Sequence, residues 1–318
     1  PGGRSVRRVA SAASGAMTGT PHQPGFADWV MLWCLVALWG SAFLLIAVAL
    51  DGYSPLTIST GRLIIGAAVL LLIVAISGRS MPRDRSSWRL FVLMALLGNA
   101  LPFFLVSWGQ QGIPSGLAGI LMAVMPLVVL ALAHFLVPGE RVTRRRLFGF
   151  VAGFSGIVVL LGPRAGSLSD ASSLAYPIAV LGAAVCYGLN VIIARRTPSL
   201  DPVVVSASVL LLAAAISAAV WLATGVDDGA PAGAAPRFAL LALGAFCTGL
   251  ATVLYYRIVN SAGATFLSLI NYVIPVWAVV VGALVLGERL PPSALAGLAL
   301  ILGGIVISQS RPRPRARP

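Results

Sequence analysis

The chain has 318 residues, 58% of them hydrophobic and only 10% charged, with a mean hydropathy of +0.96. A soluble domain carries about 25% charged residues, so this composition belongs in a lipid bilayer. The net charge of +13 invites a nucleic-acid partner, but all 22 basic residues are arginine and nearly all sit in short loops and tails, which excludes one.

Residues 1–27 are rich in Gly, Ser, Ala and Arg without hydrophobic period, and are expected to form a disordered tail. The first apolar run is too long for a signal peptide and lacks its cleavage site. A bilayer crossing needs about 20 apolar residues. Ten stretches meet that need: 28–50, 55–77, 88–110, 116–137, 147–163, 173–195, 202–224, 238–260, 263–286 and 293–310. The breaks between them carry turn chemistry, as in Asp51-Gly52-Tyr53-Ser54-Pro55 and Gly112-Ile113-Pro114-Ser115-Gly116. No connection is long enough to hide a soluble domain. Cys34, Cys186 and Cys247 fall in separate stretches without CxxC spacing, so they read as small buried hydrophobes and no metal or disulfide is expected.

The fifth stretch closes as the tenth does. Pro126 pairs with Pro275, Gly139-Glu140-Arg141 with Gly287-Glu288-Arg289, Gly149 with Gly297 and Gly156 with Gly304. An odd number of crossings per copy forces the copies into opposite orientations, which is the architecture of alternating-access carriers. With both ends inside, cytoplasmic segments hold 18 arginines and external ones three, Arg164, Arg237 and Arg289; Arg62 falls within a span. That bias predicts cytoplasmic termini. The expected fold is all-α, with ten transmembrane helices in two inverted five-helix repeats. The expected division is a cytoplasmic tail at 1–27, repeats at 28–163 and 173–310, an external linker at 164–172 and a basic cytoplasmic tail at 311–318.

Trp39-Gly40-Ser41, Pro55 followed by Arg62, and the doubled Pro…Gly-Glu-Arg…Gly…Gly block resemble the EamA-type transporters of the drug/metabolite transporter superfamily, over roughly 28–310. The resemblance implies a carrier of the bacterial inner membrane that moves amino acids, other small metabolites or drugs, often outward. The second repeat lacks an equivalent of Arg62, since the stretch after Pro202 reads Ser206-Ala207-Ser208-Val209.

A carrier places its substrate near the bilayer midplane, where polar groups are costly. The mid-depth candidates are Trp39, Ser41, Asn99, Thr248, Asn271 and Trp277, with Tyr187, Asn190 and Tyr255 somewhat nearer the cytoplasm. Trp39 and Trp277 differ from Trp29, Trp88, Trp108 and Trp221, which sit at expected membrane surfaces. Each has a plainer alternative. The asparagines serve equally to tie helices together, and Ser41 and Thr248 to bond back to their own helices. Arg62, about 10 Å below Pro55, either snorkels outward or meets a substrate carboxylate.

Pro126 and Pro275 are candidate hinges, and Glu140 and Glu288 candidate gates at opposite faces. The competing reading has Gly139 and Gly287 as helix ends, with Thr143 and Ser293 opening the helices that follow. Gly149-x-x-x-Gly153 fits a close-packing seam, within the chain or across a homodimer. Gly153-Phe154-Ser155-Gly156 superficially matches membrane serine proteases, but no histidine follows His134 to act as base, so no enzyme, cofactor or metal is expected. A non-transporting scaffold or sensor remains the rival to a carrier. The expected partners are a small-molecule substrate and the lipid bilayer. All nine acids lie in loops, tails or span ends, so coupling to protons is expected to be weak or absent.

Overall fold

In the computed structural model the described residues run from 24 to 309, apart from 83, 138–142, 166–170, 196, 198–199 and 230–231; side chains of 162–165 and 171–173 also fall outside them. Residues 1–23 of the expected tail, 166–170 of the expected linker and Glu140 therefore lie outside the described residues, as do residues 311–318; 164–165 and 171–172 of the linker belong to the helices on either side.

The described chain is all helix and turn, in ten segments: α1 Phe26–Leu50, α2 Pro55–Ile76, α3 Arg85–Gly109, α4 Ser115–Leu136, α5 Arg144–Ala165, α6 Ala171–Ala194, α7 Pro202–Thr224, α8 Ala234–Leu267, α9 Ile270–Leu286 and α10 Pro292–Gln309. Eight are long and apolar enough to cross a membrane; the others are α5, which carries arginines at its ends, and α9, of 17 residues. At Gly263 the backbone leaves helical geometry (φ 83°), and the chain turns toward α9 there. The expected starts and ends fall within a few residues of those observed, and the expected break between the eighth and ninth spans, at 260–263, coincides with this turn at Gly263.

Local chemistry explains the ends. Pro55 and Pro202 occupy first helical positions, where their missing N–H costs nothing, behind the capping side chains of Ser54 and Asp201. Thr143 Oγ1 accepts the Arg146 N–H at 3.3 Å and so opens α5. Gly287 closes α9 in the left-handed conformation (φ 65°).

The main packing partners cross from one half of the chain to the other. α1 lies on α8 and α9, and correspondingly α6 lies on α3 and α4; α2 packs on α7, and α5 on α10. That exchange is what two interlocked inverted repeats produce. The α5–α10 contact is the glycine seam. A Cβ on Gly149 would meet the Gly304 carbonyl oxygen at 2.5 Å, and one on Gly156 the Gly297 oxygen at 2.7 Å. The seam closes within one chain, so it gives no support to the homodimer reading. Ser155 belongs to this helix, and its hydroxyl donates to the Ala152 carbonyl at 2.8 Å.

Between α2 and α7, Thr60 Oγ1 and Ser217 Oγ lie 2.7 Å apart, and Trp221 Nε1 donates to Thr57 Oγ1 at 2.9 Å. With no water in the bilayer core, such pairs satisfy polar groups that lipid cannot.

Candidate substrate site

Arg62 projects from α2 into the protein and does not snorkel: only 8% of it is exposed. Its Nε donates to Thr248 Oγ1 at 2.8 Å, and its guanidinium carbon lies 3.9 Å from the centre of the Phe103 ring. Arg79 pairs with Asp201 between the end of α2 and the start of α7, but among the described residues no carboxylate neutralises Arg62. A buried guanidinium with an aromatic face and one hydroxyl partner is a poised anion site.

Local sequence makes this reach workable. Gly66 stands one turn beyond Arg62, and a Cβ there would lie 2.7 Å from the Thr248 methyl; one on Gly244 would meet Ile65. Two facing glycines let α2 and α8 approach until the arginine spans the gap.

The two mid-depth tryptophans tie α1 to α8 and α9. Trp39 Nε1 donates to the Cys247 carbonyl at 3.1 Å, and its ring stands 5.7 Å from Tyr255. Trp277 Nε1 donates to Ser41 Oγ at 3.0 Å, while a Cβ on Gly40 would lie 2.5 Å from the Trp277 ring. Ser41 thus accepts from another helix instead of bonding back to its own. Thr248 does bond back, to the Leu243 carbonyl at 2.9 Å, as well as accepting from Arg62. Asn99 Nδ2 reaches the Met94 carbonyl of its own helix at 3.5 Å and bridges to no neighbour through that bond. Asn190 packs against Gly98 of α3, and its Oδ1 is buried without a partner among the described residues. Trp39, Ser41, Asn99, Tyr187, Asn190, Tyr255, Asn271 and Trp277 are all half-buried, whereas Arg62 and Thr248 are buried. The mid-depth interior is therefore polar and aromatic, not uniformly apolar.

A separate cavity of about 300 Å³ opens at the ends of α2 and α8 and the start of α7, between Ser77, Arg79, Asp201, Tyr256, Arg257 and Asn260. None of the mid-depth candidates lines it.

The two proposed hinges sit in unlike settings. α4 breaks into turn at Ala123–Val124, immediately before Pro126, whereas α9 runs continuously through Pro275 and its irregular turn lies earlier, at Ser268–Leu269. Glu288 caps: its carboxylate accepts the Ser115 N–H at 2.6 Å and the Gly116 N–H at 2.9 Å, the first two residues of α4. His134 is exposed and stands edge-on to Phe135, with centroids 5.1 Å apart. No group of three or more His, Cys, Asp or Glu side chains able to hold a metal occurs among the described residues.

Sequence reasoning missed Phe103 and the irregular backbone around Thr248. A full turn of π-helix interrupts α3 at Leu96–Ala100 and α8 at Ala245–Leu250. No pattern in the sequence marks these turns, although the spacing that pairs Pro126 with Pro275 also pairs Asn99 with Thr248, one in each turn.

Ten interlocked helices around a polar centre define a multi-pass membrane carrier. The chain belongs to the EamA-like transporter family, whose model matches residues 28–162 and again 174–309. It is 26% identical to the uncharacterized transporter YoaV of Bacillus subtilis, over 85% of this chain and 92% of that protein. It is 29% identical to a probable terminal-alkyne amino-acid exporter of Streptantibioticus cattleyicolor, over 90% of this chain and 95% of that one. A S-adenosylmethionine/S-adenosylhomocysteine transporter of Chlamydia trachomatis is 28% identical, over 84% of each chain. A protein crystal structure matches with a TM-score of 0.64 at 24% identity, over 89% of this chain and 96% of that one, and shares its fold.

Proposed function

We propose that the protein is a secondary carrier that exports small carboxylate-bearing metabolites, amino acids foremost, by alternating access around the centre where α1–α4 and α6–α9 meet. It lies in the bacterial inner membrane with both termini in the cytoplasm. The observation that carries this reading is Arg62: a buried cation within a span, stacked on Phe103 and lacking an acidic partner among the described residues. Keeping such a charge unpaired in the membrane costs about 2.5–3.5 kcal/mol on insertion scales, a cost a substrate carboxylate would offset. Trp39, bonded to the carbonyl of Cys247 next to Thr248, and the Tyr255 ring against it would supply an aromatic wall. The relatives' names support the class of cargo: one is called an amino-acid exporter, and the other carries molecules that contain an amino-acid end. The reading also takes the protein to be a carrier without catalytic activity.

Flux into proteoliposomes tests it. Wild-type protein is expected to move amino acids and to reject the matching amino alcohols, which lack the carboxylate. Arg62→Gln is expected to lower amino-acid flux at least tenfold, and Trp39→Ala to lower it severalfold. Equal transport of acid and alcohol, or full activity in Arg62→Gln, would refute the carboxylate site.

A further inference from the structure

The two π-turns stand at equivalent positions of the two repeats, yet only one of them meets a charge. A π-turn inserts one residue into the helical ladder and leaves a carbonyl without its usual amide partner; such turns recur at functional sites. In α8 the Thr248 hydroxyl donates to the Leu243 carbonyl, five residues back. In α3 the Asn99 amide does the same for Met94, again five residues back. The hydroxyl of Thr248 has one proton, and Leu243 takes it. Its remaining lone pairs can only accept, and they face Arg62 Nε. The α3 turn has no such visitor, because the second repeat carries Val209 where the first has Arg62.

Arg62 is thereby held on two sides, by Thr248 at Nε and by the Phe103 ring, whose centre lies 3.9 Å from the guanidinium carbon. No hydrogen-bond partner meets Nη1 or Nη2 among the described residues. The end-on edge of the guanidinium, with two parallel N–H groups, is left for a bidentate carboxylate. We infer that Thr248 is a positioning residue: the π-turn of α8 sets its hydroxyl so that Arg62 presents its Nη1/Nη2 edge to a substrate carboxylate. The inference rests on the carboxylate-carrier reading above. It adds that recognition depends on a backbone irregularity in the opposite repeat, and that the carrier has one anion point despite its duplicated fold.

The test compares Thr248→Val, Thr248→Ser and Arg62→Gln with wild type. The probes are the amino acid, of the common twenty, that most stabilises wild type in a thermal-shift screen, and its amino alcohol. Thr248→Val keeps size and removes the hydroxyl; it is expected to raise KM for the acid about tenfold, in line with losing one hydrogen bond to a charged group, while the maximal rate changes less than threefold. Thr248→Ser is expected to restore KM to within about twofold of wild type, on the scale where tenfold is 1.4 kcal/mol. Weak binding of the alcohol should be unchanged in both. If Arg62→Gln abolishes acid transport but Thr248→Val keeps the wild-type KM, the positioning role is wrong and the carrier reading stands. Equal losses for acid and alcohol in Thr248→Val, or no rescue by serine, would also overturn it by showing a general structural defect. If no amino acid stabilises wild type, or Arg62→Gln transports normally, the parent reading fails and takes this one with it. Should Thr248→Val not fold, the acid-to-alcohol preference of Thr248→Ser decides: a preference as strong as wild type supports the inference, and its loss refutes it.

Discussion

Single side chains at the centre do two jobs, and glycine shows it most clearly. Gly40 leaves room for the Trp277 ring, whose N–H then reaches Ser41 on the same helix. A methyl group at Gly40 must push the indole away and break that bond. Gly40→Ala is expected to cost about 1–3 kcal/mol, the usual range for overpacking, visible as a lower melting temperature in detergent. Arg62 illustrates the converse. Its position in a span was plain from sequence, and so was the choice between reaching outward and turning inward. What decided the matter is the Gly66–Gly244 approach, which brings Thr248 within reach, and no one-dimensional pattern reports how near two helices come.

Helix ends and irregular turns form the next scale. Glu288 lies between α9 and α10 yet caps α4, satisfying two of its free amides where the helix dipole favours negative charge. Glu288→Gln keeps the shape and removes the charge, and is expected to cost about 0.5–1 kcal/mol, measured by unfolding in detergent. The same tie joins the two repeats at one face, so the substitution tests Glu288 as a gate: faster exchange of substrate across the membrane is the expected accompaniment. The seam between α5 and α10 is less forgiving. Gly304 lies against backbone atoms of Gly149 and Gly153, which cannot move aside as a flexible side chain would. Gly304→Val is expected to sit at or above the top of the ~1–3 kcal/mol overpacking range, read as loss of the monodisperse protein on size exclusion. Periodicity could not show that this seam closes inside one chain, because glycine spacing describes a surface and not its partner. The π-turns were hidden for a related reason: an extra residue in a helix changes no hydrophobic pattern in a stretch that is apolar all round.

For the molecule as a whole, the arginine distribution predicts that both termini face the cytoplasm, while Gly52 and Gly225 face outward. Single cysteines at those sites, in a background without Cys34, Cys186 and Cys247, are expected to react with a membrane-impermeant maleimide from outside, and a cysteine at Ser77 only after permeabilisation. Labelling of all three from one side would overturn the topology. Energetics belong to this scale too. The buried acid among the described residues, Asp28, lies at the start of α1 where it caps Gly25 and accepts from Ser261, away from Arg62. Flux is therefore expected to follow the substrate gradient, and an imposed pH gradient in proteoliposomes to leave it unchanged within about twofold, a difference of under 0.5 kcal/mol in driving force.

Sequence alone determined the number of helices, the duplication and the polar residues set at mid-depth. Each follows from a local requirement: about 20 apolar residues to span lipid, turn chemistry to leave it, and a cost on every polar group inside. Tertiary structure alone decided which of those polar groups meet. Trp39 with Cys247, Trp277 with Ser41, and Arg62 with Thr248 are pairs 186 to 236 residues apart. Their encounters depend on glycine-thin contacts and on one extra residue in a helical turn, and both are properties of packed backbones in three dimensions.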